Sequence, residues 1–140
     1  MQTRKRYEMI NFEEIESYIN TFQKNGGQFR FPQEYKDLAL REDDDPDFPV
    51  MFVENDHGKG WLVFYDKGYF ESRMGTLMKN YGDIDLVPFA QEEDSTNYSC
   101  FYLDNQNNKQ IMVINPFWPH KPHIKLVYDD FTAWKERMSN

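Results

Sequence analysis

Two stretches of this chain are apolar at every position and too short to be anything but buried strands. Trp61-Leu62-Val63-Phe64-Tyr65 lies between the turn residues Asn55-Asp56-His57-Gly58-Lys59-Gly60 and Asp66-Lys67-Gly68. Ile111-Met112-Val113-Ile114 follows the polar turn around Asn105-Gln106-Asn107-Asn108. Successive side chains of a strand point to opposite faces, so a strand apolar throughout is a central one, covered on both sides. Such strands commit the chain to a sheet with other elements packed against it.

The remaining pattern supplies those elements. Val50-Met51-Phe52-Val53 reads as a strand before the first of the two, and Leu86-Val87-Pro88-Phe89-Ala90 as one after it. Tyr98, Cys100 and Tyr102 alternate with Ser99, Phe101 and Leu103 in a further strand. In the last strand, Ile124-Lys125-Leu126-Val127-Tyr128, Lys125 opposes Ile124 and Leu126, which suits a face nearer solvent. Tyr69 to Met74 reads as another strand, and Gly75 to Asn80 as a short helix or loop.

Ahead of the sheet, Asn11 and Glu14 form a capping-box pattern, with Ile10 and Ile15 placed as a hydrophobic staple. Phe12, Ile15, Ile19 and Phe22 make one apolar stripe, so a helix is expected over residues 12–24, ended by Gly26-Gly27. Pro32 opens a second helix with Tyr35, Leu38 and Ala39 on its buried side, and Pro46 stops any continuation. Asp129 is the expected cap of a terminal helix striped by Phe131, Trp134 and Met138. Two helices, a run of mainly antiparallel strands, about five or six, and one closing helix make an α+β domain. At 140 residues the chain reads as one domain, with its core over about residues 11–138.

Composition limits the partners. The chain has 24 acidic and 16 basic residues and a net charge of −8, which argues against direct binding of nucleic acid and suits a basic protein partner. No apolar run approaches the ~20 residues of a membrane span. With one cysteine and no signal-peptide core, a cytoplasmic location is expected.

Residues that could carry chemistry do not assemble a known motif. Asp43, Asp45, Asp47 and Glu54 partly match a calcium loop, but Phe48 stands where the turn needs glycine and Pro46 interrupts it. His120 and His123 lie between prolines without further metal ligands nearby. Cys100 has apolar neighbours and reads as a buried, inert thiol. No catalytic residue, metal site or cofactor is expected. Two features remain. One is acidic: Glu42, Asp43, Asp44, Asp45 and Asp47 in one loop, and Glu92, Glu93 and Asp94 in another. The other is aromatic: Phe117 and Trp118 beside prolines, and Tyr69 and Phe70 after a turn. An acidic rim with aromatic anchors is the pattern of an interface for a basic protein.

Three fragments carry a family resemblance. Phe31-Pro32-Gln33-Glu34-Tyr35-Lys36-Asp37-Leu38 resembles the start of the second helix in the SUKH superfamily, which includes the yeast cell-wall glucan-synthesis regulator and many bacterial immunity proteins. Val87-Pro88-Phe89-Ala90 with the later Tyr98-Ser99-Cys100-Phe101-Tyr102-Leu103-Asp104 is similar to its double strand, and Asp130-Phe131-Thr132-Ala133-Trp134 to its closing helix. The acidic run 42–47 stands where the family often has an Asn-Gly pair. The resemblance implies a non-catalytic immunity protein, or antitoxin, that binds and neutralises a cognate secreted toxin, commonly a nuclease. Its partner-binding residues are then expected among Glu42, Asp43, Asp44, Asp45, Asp47, Glu92, Glu93, Asp94 and Trp118. An intracellular scaffold or regulator of the cell-wall type is the alternative, and a small hydrolase a third.

Overall fold

A computed structural model describes residues 10–22, 28–39, 50–54, 60–82, 85–93, 95–103 and 109–139. Among them the chain forms α1 (Phe12–Asn20), α2 (Gln33–Ala39), β1 (Val50–Glu54), β2 (Gly60–Phe64), α3 (Lys67–Tyr81), β3 (Leu86–Glu92), β4 (Tyr98–Tyr102), β5 (Ile111–Asn115), β6 (His123–Tyr128) and α4 (Phe131–Ser139). The six strands make one antiparallel sheet in the order β1-β2-β3-β4-β5-β6. The expected α+β architecture, with N-terminal helices and a C-terminal helix, is the architecture observed.

The helix α3 was not legible as one element. Where the sequence reads as a strand over residues 69–74 and a short helix or loop after it, the chain forms a single 15-residue helix. The cause lies at its start. Asp66 is not a turn residue before a strand but an N-cap, its carboxylate accepting from the Gly68 N–H at 2.9 Å. Phe70, Met74 and Leu77 then fall at helical spacing and are buried. The helix spans about 22 Å and crosses the strands. Its first half packs on β2, where Phe64 stacks on Tyr69 and meets Phe70 edge-on. Its last turn donates to the loop after β5, from Asn80 Nδ2 to the Pro116 carbonyl and from the Tyr81 hydroxyl to the Trp118 carbonyl. Gly82, at φ 74°, ends it in a conformation that suits glycine.

Strand partners share a face, so the pairing shows how the sheet divides its side chains. Leu86, Cys100, Tyr98 and Ile114 face α3 and form a cluster with Leu77. Val63, Ala90, Ser99, Phe101 and Val113 face the other way, toward α4. A bulge in β3 leaves Phe89 without a partner between Pro88 and Ala90. The extra residue lets Val87, Phe89 and Ala90 all join the α4-side core. Phe89 stacks on Phe101 and meets Trp134 edge-on. The Trp134 indole N–H, fully enclosed, donates to Ser99 Oγ at 2.8 Å, which satisfies the one polar group that a buried tryptophan brings. Both faces of β4 are therefore packed, as its strand pattern requires.

The N-terminal segment is held by side chains rather than by an additional strand. Glu16 and Asn20 stand one turn apart on α1. Asn20 accepts from the Phe29 N–H at 2.7 Å and donates to its carbonyl, while Glu16 accepts from the Phe31 N–H at 2.8 Å. Glu16 is 2% exposed, with Arg30 and Lys36 at 3.6 and 3.9 Å. The two side chains fix the extended approach to α2, so that Phe29, Phe31 and Tyr35 enter the core. The Tyr35 hydroxyl donates to the Phe64 carbonyl and ties α2 to β2.

Three expected boundaries move. The helix α1 stops at Asn20, whose amide is engaged with Phe29, so Phe22 falls beyond it and is 42% exposed instead of completing the stripe. Asn11 does cap α1, but the Glu14 carboxylate, expected to complete the box, pairs with Lys67 on α3 at 3.0 Å. The cap of α4 is Asp130 rather than Asp129: Asp130 accepts from the Ala133 N–H through its side chain and from the Trp134 N–H through its carbonyl.

Candidate functional site

The meander brings alternate connections to the same end of the sheet. The pairs Glu54 with Gly60, Gln91 with Tyr98 and Asn115 with His123 close the β1–β2, β3–β4 and β5–β6 connections, and all three lie at one end. With strands about 4.8 Å apart, the β3–β4 turn and the β5–β6 loop are neighbours roughly 10 Å apart. Glu92, Glu93 and Trp118, far apart in sequence, thus belong to one rim.

Within that rim their duties differ. Glu92 is partly buried and accepts from the Asn97 side chain at 3.2 Å, while its N–H donates to the Asn97 carbonyl, so it builds the turn. Glu93 donates its N–H to the Gly60 carbonyl and leaves its side chain exposed. Trp118 is 51% exposed and Phe117 57%. The remaining expected partner-binding residues, Glu42, Asp43, Asp44, Asp45, Asp47 and Asp94, lie outside the described residues.

The β5–β6 loop is rigidly built for a segment that exposes two aromatic rings. Its backbone is pinned to α3 through the Pro116 and Trp118 carbonyls. Asn115 Oδ1 accepts from the Phe117 N–H at 3.0 Å, an Asx turn. The Lys121 N–H reaches the Pro119 carbonyl at 2.9 Å around His120, which has φ 72°. That is a γ-turn with positive φ on a non-glycine residue, a conformation that costs of order 1–3 kcal/mol and persists only where the surroundings enforce it. The Trp118 ring lies against His123, with centroids 5.0 Å apart. The prolines and the aromatic pair were visible in the sequence; the γ-turn at His120 and the anchoring by Asn80 and Tyr81 were not, because they depend on where α3 ends.

The apolar exposure continues from the loop along β6. Ile124, Leu126 and Val127 are each about half exposed. The register shifts between Val113 and Ile114, which leaves Lys125 unpaired as a bulge. Leu126 is opposite Val113, on the α4 face, whereas Ile124 and Val127 are opposite Ile114 and Met112, on the α3 face. Both sides of the edge strand therefore carry aliphatic side chains.

Other groups singled out by their chemistry are occupied structurally. Cys100 is buried and its thiol is pushed well above its ordinary pKa by loss of solvation. Tyr69 and Phe70, expected among surface aromatics, are on α3 and pack against Phe64; Arg73 covers the Tyr69 and Phe64 rings at 4.9 and 5.2 Å and donates to Gln91. Among the described residues no three His, Cys, Asp or Glu side chains come together as metal ligands, and no helix is long and apolar enough to cross a membrane. No protein-family model, curated protein or solved structure matches the chain.

Proposed function

We propose that this chain is a SUKH-like immunity protein that neutralises a cognate toxin, a nuclease by the family resemblance, by non-catalytic protein–protein contact. The observation that carries this reading is the rim: a pinned, strained loop that holds Trp118 and Phe117 out to solvent, beside an acidic turn. A half-exposed tryptophan on a fixed backbone loses little conformational freedom on binding, which is what an interface anchor needs. Glu93, and the acidic run 42–47 by its charge, suit the field of a basic toxin and speed encounter with it. The three resembling fragments are consistent with a shared scaffold: Tyr35 and Leu38, Phe89 and Phe101, and Phe131 and Trp134 all enter the core.

The test is co-expression with the toxin domain encoded beside its gene. Growth is expected to be restored by the intact chain, with a complex on gel filtration. No rescue and no complex would overturn the proposal.

A further inference from the structure

We infer that the free edge of β6 is a docking strand for an extended acidic segment of another protein, which pairs with it as a seventh strand. This surface adjoins the rim, sharing with it the β5–β6 loop that carries Trp118 and Lys121, but the inference does not rest on the immunity reading.

The first observation is the edge itself. Strand β6 ends the sheet order, so among the described residues its outer backbone groups face no strand. An open edge is a template for strand addition, in which backbone hydrogen bonds supply attraction and alternate side chains supply selection. The second is the side chains. Ile124 and Val127 on one face and Leu126 on the other are half exposed, so an added strand would be flanked by aliphatic contacts on both sides.

The third observation is charge, and it selects the occupant. In a chain of net charge −8, residues 115–128 contain Lys121, Lys125, His120 and His123 and no carboxylate. Both lysines lie toward the loop end of the strand, and Asp129 and Asp130 follow its other end. The fitting segment therefore carries Asp or Glu where it passes Lys121 and Lys125, and uncharged β-branched residues where it passes Leu126 and Val127. A second copy of this chain fits poorly. Symmetric antiparallel pairing centred on His123–Tyr128 sets Lys125 opposite Leu126 of the other copy, with no carboxylate facing it, and Asp130, which would come to Lys121, is already engaged as the cap of α4. A nucleic acid strand would find two lysines and exposed rings, but it has no use for the backbone edge or the aliphatic faces.

The experiment is selection of a random octapeptide display library on the full chain. Hydrogen exchange of the chain with and without the winning peptide follows. The expected winners are rich in Asp and Glu alternating with Val, Ile or Thr, and they slow exchange at residues 123–128. Lys125→Glu, on a surface bulge and expected to fold normally, weakens them at least tenfold, as does Lys121→Glu. Four outcomes would overturn the inference: no enrichment, winners without acidic bias, protection elsewhere, or unchanged affinity for both variants. A dimer in light scattering with residues 123–128 already protected would assign the edge to a second copy instead. Protection of residues 123–128 by an oligouridylate but not by the peptides would assign it to nucleic acid.

Discussion

Two sets of aromatic residues in this protein have opposite fates. Phe89, Phe101, Phe131 and Trp134 come from three elements and enclose one another completely, with Trp134 satisfied by Ser99. Phe117 and Trp118 are the same residue types, yet more than half of each is open to solvent although their backbone is firmly held. Hydrophobicity does not separate the two sets. The first is delivered by strand pairing and a bulge into a layer that two helices close; the second is held on a loop beyond the last turn of α3, where no described element covers it. The difference is one of position: the first set makes the fold, and the second stays open to solvent.

The comparison breaks most visibly in the first set. Phe101→Ala or Trp134→Ala should cost about 3–5 kcal/mol, from lost transfer energy and the cavity that remains. Urea unfolding followed by circular dichroism reads this directly, and a loss below about 1 kcal/mol would mean that this core is not closed as described. Glu16→Ala ranks next. It strands the buried Phe31 N–H and should cost about 2 kcal/mol, whereas Glu16→Gln keeps an acceptor and should recover part of that.

A smaller effect sharpens the account of α2. Tyr35→Phe removes the hydroxyl that donates to the Phe64 carbonyl and should cost about 1 kcal/mol at neutral pH. Burial raises the Tyr35 pKa well above its ordinary value, with Tyr65 adding to the shift. The sign follows: below the unfolded value, near 10, the contribution of this group is fully present. As pH rises past it the unfolded chain ionises first, and stability falls through the folded value. Thermal melts between pH 8 and 11 should decline less steeply in Tyr35→Phe than in the parent, because the fully enclosed Tyr35 no longer titrates while Tyr98, Tyr18 and Tyr81 keep their raised values.

Much of this was written in the residues, and the failures are instructive. The doubly apolar stretches 61–65 and 111–114 required covered strands, and β2 and β5 are covered. The Asn11 cap and the Phe131-Trp134-Met138 stripe were read from local chemistry and are local in fact. The helix α3 was missed because Tyr69 to Met74 satisfies a strand pattern over six residues; only the Asp66 cap and the longer spacing to Leu77 decide between periods. The choice between Asp129 and Asp130 as a cap depends on where β6 releases the chain, which is a tertiary matter. At the rim, the sequence marked Trp118, Glu92 and Glu93 separately. Only the meander makes Trp118 a neighbour of the acidic turn, and only the side-chain bonds show that Glu92 serves the turn while Glu93 is free to face a partner.

The exposed aromatic pair is expected to serve binding and not folding. This is tested most directly on Trp118→Ala, by measuring its melting temperature and its affinity for the toxin domain proposed as its partner, on the same sample. The account predicts stability within about 0.5 kcal/mol of the parent, as for an exposed side chain, and a binding loss of at least 2 kcal/mol, roughly thirtyfold or more. A protein that melts several degrees lower while binding as before would contradict it.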